Sequence, residues 1–172
     1  MRIIDNFLKN EEINFVLKNA NTDKLCWESC QKVVGDDSKY NHQHVHTIYD
    51  FLIPCSPLFG TFHSGLGKLK VLGLFRIKMN KEFLYSKRYY SKFHYDCCTS
   101  KGTPENPVGH DYMRTGILYL NTCDGYTEFE DGKIVESVAN RFIEFPTNTK
   151  HRGVSQLDTD FRFVVNFNYF IE

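Results

Sequence analysis

The 172-residue sequence has no apolar run approaching the roughly 18 to 20 residues that span a bilayer. No secretory h-region follows Met1-Arg2-Ile3-Ile4-Asp5, so a cytoplasmic location without membrane attachment is expected. Net charge is also lacking. The 21 basic residues balance 21 acidic ones, so no overall field draws the chain toward nucleic acid or an anionic membrane. No internal repeat or low-complexity tract interrupts it, and a single domain over 1–172 is the expectation. The one tryptophan, Trp27, reads as core rather than as a substrate platform. Cys26 and Cys30 have no second pair at zinc-ribbon spacing, which argues against structural zinc. With no sign of secretion, and with Cys97 and Cys98 adjacent, the 6 cysteines are expected as thiols rather than as a disulfide framework.

What is present suits strands. The chain is 41% hydrophobic and 15% aromatic, with 15 Phe and 10 Tyr, and aromatic side chains pack well on a pleated surface. The first 70 residues mix signals. A short strand is expected over 2–5, then a helix capped by Asn10 with Ile13, Val16, Leu17 and Ala20 on its apolar face. Ser56-Pro57 starts a second helix through Leu58, Phe59, Phe62 and Leu66 that ends at Gly67. Asp36 to His46 reads as loop, with a strand around His42 to Ile48.

From residue 71 onward short strands and turns dominate, over 71–79, 92–96, 113–121, 126–130, 133–138, 141–145, 151–155 and 162–170. Asp131-Gly132 marks a hairpin, and the polar stretch from Cys97 to Asp111 is a long loop. A series like this implies a mainly β (α+β) jelly roll or barrel over 71–172, with 1–70 as helical and strand N-terminal support whose helices pack outside. On the last strand Phe161, Phe163, Val165, Phe167 and Tyr169 share one face. Arg162, Val164, Asn166 and Asn168 share the other, which can line the barrel mouth.

His94-Tyr95-Asp96 carries the chemistry. Residues two apart on a strand face the same way, so His94 and Asp96 can converge on one ion while Tyr95 points elsewhere. His151, 55 residues after Asp96, can supply a third ligand from a neighbouring strand. Two imidazoles and a carboxylate on one face hold Fe(II) with open positions for a co-substrate and O2. The plainer alternative is a hydrogen-bonded histidine beside a surface aspartate. Arg162, eleven residues beyond His151, is placed to grip a dicarboxylate, whereas Arg152, next to His151, faces away. Cys97 and Cys98 would then lie beside an oxygen-activating centre and be open to oxidation. His42, His44 and His46 alternate and make a second, three-histidine site conceivable, though exposed histidines are the simpler reading. His63 and His110 read as solvent-facing, and Lys68, Lys70, Lys78, Lys81, Lys87 and Arg88 as a solvated basic face.

The ordered set of His94-Tyr95-Asp96, Gly116 to Asn121, Gly125 to Phe129, His151 and Arg162 resembles small iron(II)- and 2-oxoglutarate-dependent dioxygenases. These are related to prolyl hydroxylases and are of the kind found in tailed-phage genomes, which would mean a host cytoplasm. The resemblance spans about residues 71 to 170, and Ile3 to Leu8 is similar to the entry of that domain. It implies a double-stranded β-helix, iron on His94, Asp96 and His151, and Arg162 on the distal carboxylate of 2-oxoglutarate. Tyr119 would stand where related hydroxylases place a tyrosine on that same carboxylate, the other reading being an ordinary core tyrosine. Two departures stand out. Phe75-Arg76-Ile77-Lys78 replaces a tyrosine near the other carboxylate, leaving Arg76 as its candidate partner, and Gly125-Tyr126 replaces Gly-Gly at the rim. The implied reaction is hydroxylation of a protein or peptide side chain with release of succinate and CO2. The alternatives are oxidation of a nucleic-acid base by the same chemistry, or a jelly-roll protein that binds metal without catalysis. Substrate identity and oligomeric state are not legible.

Overall fold

The structure is a computed structural model, which describes residues 1–22, 24–30, 43–96 and 112–172. In chain order it contains β1 (Arg2–Ile4), α1 (Asn10–Ala20), β2 (Glu28–Cys30), β3 (Gln43–Asp50) and β4 (Ile53–Pro54). A 3-10 helix (Pro57–Phe62) then runs into α2 (His63–Leu66). There follow β5 (Gly73–Phe83), β6 (Met113–Tyr119), β7 (Tyr126–Phe129), β8 (Ile134–Glu136), β9 (Phe142–Pro146), β10 (His151–Val154) and β11 (Phe161–Phe170). The larger sheet runs β1-β9-β6-β11-β5-β3-β2, with β4 paired to β3, and the smaller runs β10-β7-β8. All named pairs are antiparallel, the arrangement of a jelly roll. Among the described residues no helix is long and apolar enough to cross a membrane.

The alternation of β11 decides the layering. Its odd residues Phe163, Val165, Phe167 and Tyr169 join Ile77 and Met79 of β5 in the main core. Ile13, Val16 and Ala20 of α1, with Leu58 and Phe62 of the 3-10 helix, pack into the same cluster, so the helices cover the outer face of the larger sheet. Fully buried rings such as Phe167 anchor that layer, each worth about 3–5 kcal/mol against truncation to alanine. A smaller cluster of Ile117, Tyr119, Phe129, Val135, Ile143, Phe145 and Val164 draws on both sheets. The first 70 residues are more than a helical cover, because β1, β2, β3 and β4 belong to the larger sheet.

Several local expectations shift. Asn10 is the first helical residue and Lys9 the cap, because the Glu12 carboxylate accepts the Lys9 N–H at 2.8 Å and also the Ser64 hydroxyl. Ser56 does start the second helical stretch, accepting from Leu58 N–H. Its first part is 3-10 rather than α. Asp131-Gly132 turns β7 into β8, with Gly132 at φ 83°, a left-handed conformation that glycine adopts without strain. Residues 92–96 do not form a continuous strand. The segment from Tyr89 to His94 follows β10 through isolated bridges at Tyr90↔Val154 and His94↔His151. Side chains supplement the backbone bonds Ser91 N–H to Gly153 O and Ser155 N–H to Tyr89 O, with Ser91 Oγ accepting Gly153 N–H and Ser155 Oγ accepting Tyr89 N–H. Lys81 is not simply solvated, since its ammonium lies 4.1 Å from the Phe161 ring centroid and 5.9 Å from that of Trp27.

Candidate metal centre and anion clamp

Arg162, Val164 and Asn166 of β11 face a cavity of about 180 Å³ between the sheets. Cross-strand register sets its floor, pairing Arg162 with Glu82, Val164 with Asn80, Asn166 with Lys78 and Asn168 with Arg76. Opposite residues on antiparallel strands share a face, so this floor is a polar ladder backed by the apolar core.

His94, Asp96 and His151 meet at one end of this cavity, each offering one ligand atom, all within 4.8 Å of one another. The bridge between their backbones places the two histidines side by side, with N–H···O distances of 2.9 and 3.1 Å. Each imidazole donates Nδ1–H to the carbonyl two residues upstream, His94 to Lys92 at 2.9 Å and His151 to Thr149 at 3.1 Å. A carbonyl only accepts, so in the neutral rings the Nε2 lone pairs face inward. They approach Asp96 Oδ1 at 3.6 and 3.5 Å, and Asp96 Oδ2 is buried with no hydrogen-bond partner. Lone pair facing lone pair in a buried place calls for a cation. Burial pushes the Asp96 carboxyl upward, but His151 and then His94, when their rings carry a proton and so a charge, outweigh it and hold the group well below the usual range. For His94, burial lowers the basicity and Asp96 more than restores it. Two nitrogens and one carboxylate oxygen, already turned inward by supporting carbonyls, fit Fe(II).

Arg162 lies at the other end of the cavity and is 2% exposed. Its Nε donates to Ser137 Oγ at 3.1 Å and its Nη1 to Glu82 Oε2 at 2.9 Å. Burial disfavours its charge, but Glu82 and then the Tyr119 phenol oxygen raise its pKa on balance. Room around it comes from glycine. A Cβ on Gly125 would stand 2.8 Å from Arg162 Cδ, and one on Gly153 would stand 3.7 Å from Glu82 Oε1 and 3.8 Å from Arg162 Nη1. Arg152 does turn away, pairing with Glu128 at 2.8 Å and stacking on Phe93.

The other expected residues separate. The Tyr119 ring lies 5.6 Å beneath the Arg162 guanidinium, yet it is fully buried and its hydroxyl donates to Thr127 Oγ1 at 2.8 Å. Thr127, not Tyr119, lines the cavity. Arg76 stands at the metal end, donating to the Asp96 carbonyl at 3.2 Å and to Asn168 Oδ1. Tyr95 sits at the cavity rim with Lys150 5.9 Å from its ring. His46 is a structural residue, its two ring nitrogens bonded to the Cys26 carbonyl and Ser56 Oγ at 2.8 Å each. His44 packs edge-on against Phe83, and His42 and His110 lie outside the described residues, as do Cys97 and Cys98. His63 is exposed, and Cys26, Cys30, Cys55 and Cys123 are free thiols. Sequence reasoning missed Glu82, Gln43, Tyr85 and Tyr89, all of which line the cavity. The signal for Glu82 was the continued alternation Arg76, Lys78, Asn80, Glu82 past the expected strand end at Met79.

No family model and no curated protein matches the chain. Solved structures of 2OG-Fe(II) oxygenases do. An oxidoreductase of that family from Burkholderia pseudomallei aligns at a TM-score of 0.62 and 12% identity, covering 97% of this chain and 82% of its own. The viral collagen prolyl hydroxylase of Paramecium Bursaria Chlorella virus-1, in complex with 2OG, aligns at 0.60 and 15%, covering 99% and 96%. The epimerase SnoN, in complex with Fe3+, alpha ketoglutarate and nogalamycin RO, aligns at 0.67 and 12%, covering 98% and 78%. At such identities the likeness is one of fold, and the chain has the jelly-roll fold of the 2OG-Fe(II) oxygenases.

Proposed function

We propose that this chain is an Fe(II)- and 2-oxoglutarate-dependent dioxygenase that hydroxylates a protein or peptide side chain. One observation carries the reading. Three inward-facing lone-pair donors and a buried guanidinium share a single cavity, in a fold that solved 2OG-Fe(II) oxygenases also have. His94, Asp96 and His151 hold the metal on one face. Arg162 grips the distal carboxylate of 2-oxoglutarate, with Tyr119 and Thr127 supporting the guanidinium and the cavity wall. Arg76, beside Asp96, is assigned to the carboxylate at the metal end. When bound, Fe(II) and 2-oxoglutarate would supply the oxidising power, O2 being consumed as 2-oxoglutarate becomes succinate and CO2 and one oxygen enters a C–H bond. The protein contributes position and dryness, since the His151 ring is packed against Phe145 and Phe129.

For the substrate, the tyrosines at the mouth, Tyr85, Tyr89 and Tyr95, present flat surfaces that suit a peptide chain. A protein with this fold acts as a collagen prolyl hydroxylase, and the zero net charge here offers nucleic acid no field. The test is incubation with Fe(II), 2-oxoglutarate, O2 and pools of peptides and nucleotides, read by mass spectrometry with succinate measured in parallel. One oxygen gained on a peptide, dependent on 2-oxoglutarate, is the expected result. Gain on nucleotides alone would replace the substrate class, and no succinate under any condition would leave a metal-binding jelly roll without catalysis.

A further inference from the structure

A carboxylate of the protein itself holds the clamp. Register places Glu82 directly across from Arg162, Gln43 across from Glu82, and Cys30 across from Gln43, and all four residues line the cavity. The Glu82–Arg162 contact is 2.9 Å, with the arginine side chain 2% and the glutamate side chain 19% exposed. Arg162 is therefore neutralised before any co-substrate arrives. A second carboxylate brought to the same guanidinium would face Glu82 at short range in a water-poor site, where like charges disfavour each other's ionised form. The pair is also built to part. Gly153, lacking a Cβ, leaves room for about one carbon beside both partners, Glu82 has the more exposed side chain of the two, and Gln43 offers an amide on the side away from Arg162.

We propose that Glu82 is a specificity-determining residue for the co-substrate, an internal rival that must release Arg162 before the distal carboxylate of a 2-oxo dicarboxylate is clamped. This rests on the function proposed above. Its consequence is that the chain discriminates weakly between 2-oxoglutarate and 2-oxo acids without a distal charge. Glu82 touches neither the metal ligands nor the bond that reacts, so it acts on affinity and selectivity through Arg162.

The test is binding rather than turnover. Isothermal titration of the Mn(II)-loaded protein with 2-oxoglutarate and with 2-oxobutyrate, which lacks the distal carboxylate, is compared for the native chain, Glu82→Gln and Glu82→Asp. Glu82→Gln is expected to tighten 2-oxoglutarate about tenfold, as removal of one close like charge does, and to leave 2-oxobutyrate unchanged. Glu82→Asp keeps the charge and shortens the reach, giving a smaller gain in the same direction and a folded comparison if the glutamine variant is unstable. If the native chain binds 2-oxoglutarate but neither variant binds it tighter, or both acids tighten equally, this inference is overturned and the proposed function stands. If neither the native chain nor any variant binds 2-oxoglutarate, the proposed function fails and this inference fails with it.

Discussion

The two ends of the cavity solve the burial of charge in opposite ways. At the metal end Asp96 keeps a buried oxygen without a hydrogen-bond partner, and two imidazole lone pairs face its other oxygen. At the clamp end the buried charge of Arg162 is met by Glu82, Ser137 and the Tyr119 ring. Unpartnered acceptors in a buried place cost stability, whereas a satisfied pair does not. The metal end is thus held ready at the expense of stability, and the clamp end is stable at the expense of readiness. Ligand binding should stabilise the fold strongly at the first and weakly at the second.

The largest effect expected is at the metal end. Asp96→Asn keeps the shape and removes the charged ligand, and its amide can donate to an inward-facing Nε2. Mn(II) or Fe(II) affinity should fall by more than the roughly 10–100-fold that loss of a mere supporting contact costs. At alkaline pH, where no proton is shared between the imidazoles and Asp96, the metal-free variant should melt higher than the metal-free native chain, by on the order of 1–2 kcal/mol, because a buried acceptor conflict is relieved. Calorimetric metal titration and thermal unfolding read both. A variant that loses metal and also loses stability would sink the idea that this end is strained.

Arg162→Met tests the other end. It leaves Glu82 as a half-buried carboxylate without its partner, and breaking a fully buried pair costs about 3–5 kcal/mol. Glu82 is 19% exposed and can turn toward water, so a loss at or just below the lower end, about 2–3 kcal/mol, is expected by urea unfolding. Adding Glu82→Gln to the same chain should recover part of it, a coupling that distant sites do not show. Metal affinity should be unchanged, while 2-oxoglutarate binding falls sharply. A fall in metal affinity of similar size would mean that the two ends are one network.

The contrast between the ends was half legible in the sequence. Strand alternation is a short-range property, so it separated Arg162 from Arg152 and put Phe163, Val165, Phe167 and Tyr169 into the core. The pairing of His94 with His151 depends on how an interrupted ladder of backbone and side-chain bonds lays residues 89–94 beside β10, which no local pattern encodes. Glu82 was hidden for a similar reason. Its role comes from register with a strand 80 positions away, and the expected end of β5 at Met79 fell short of it. Tyr119 shows the reverse case, where a motif position was found but its hydroxyl is held by Thr127 rather than facing the cavity.

That hydroxyl gives the smallest effect and the finest test of the clamp end. Tyr119→Phe removes one buried hydrogen bond, worth about 1 kcal/mol, and should lower 2-oxoglutarate affinity far less than loss of Arg162 does. Its titration is more telling. Burial pushes the Tyr119 phenol up to about 12, against an ordinary value of 10.0, with the Arg162 charge offsetting part of the rise. A raised phenol favours the neutral form in the fold, so its contribution is fully present below pH 10 and is lost as pH climbs toward 12. Tyr169 is raised as well, by burial and by Glu144, and it remains in both proteins as a common background. Urea unfolding of the native chain should therefore be flat with respect to Tyr119 below pH 10 and steeper above it, with part of that steepness absent in Tyr119→Phe. Equal slopes in the two proteins would mean that the phenol reaches water, and that the clamp end is looser than its contacts imply.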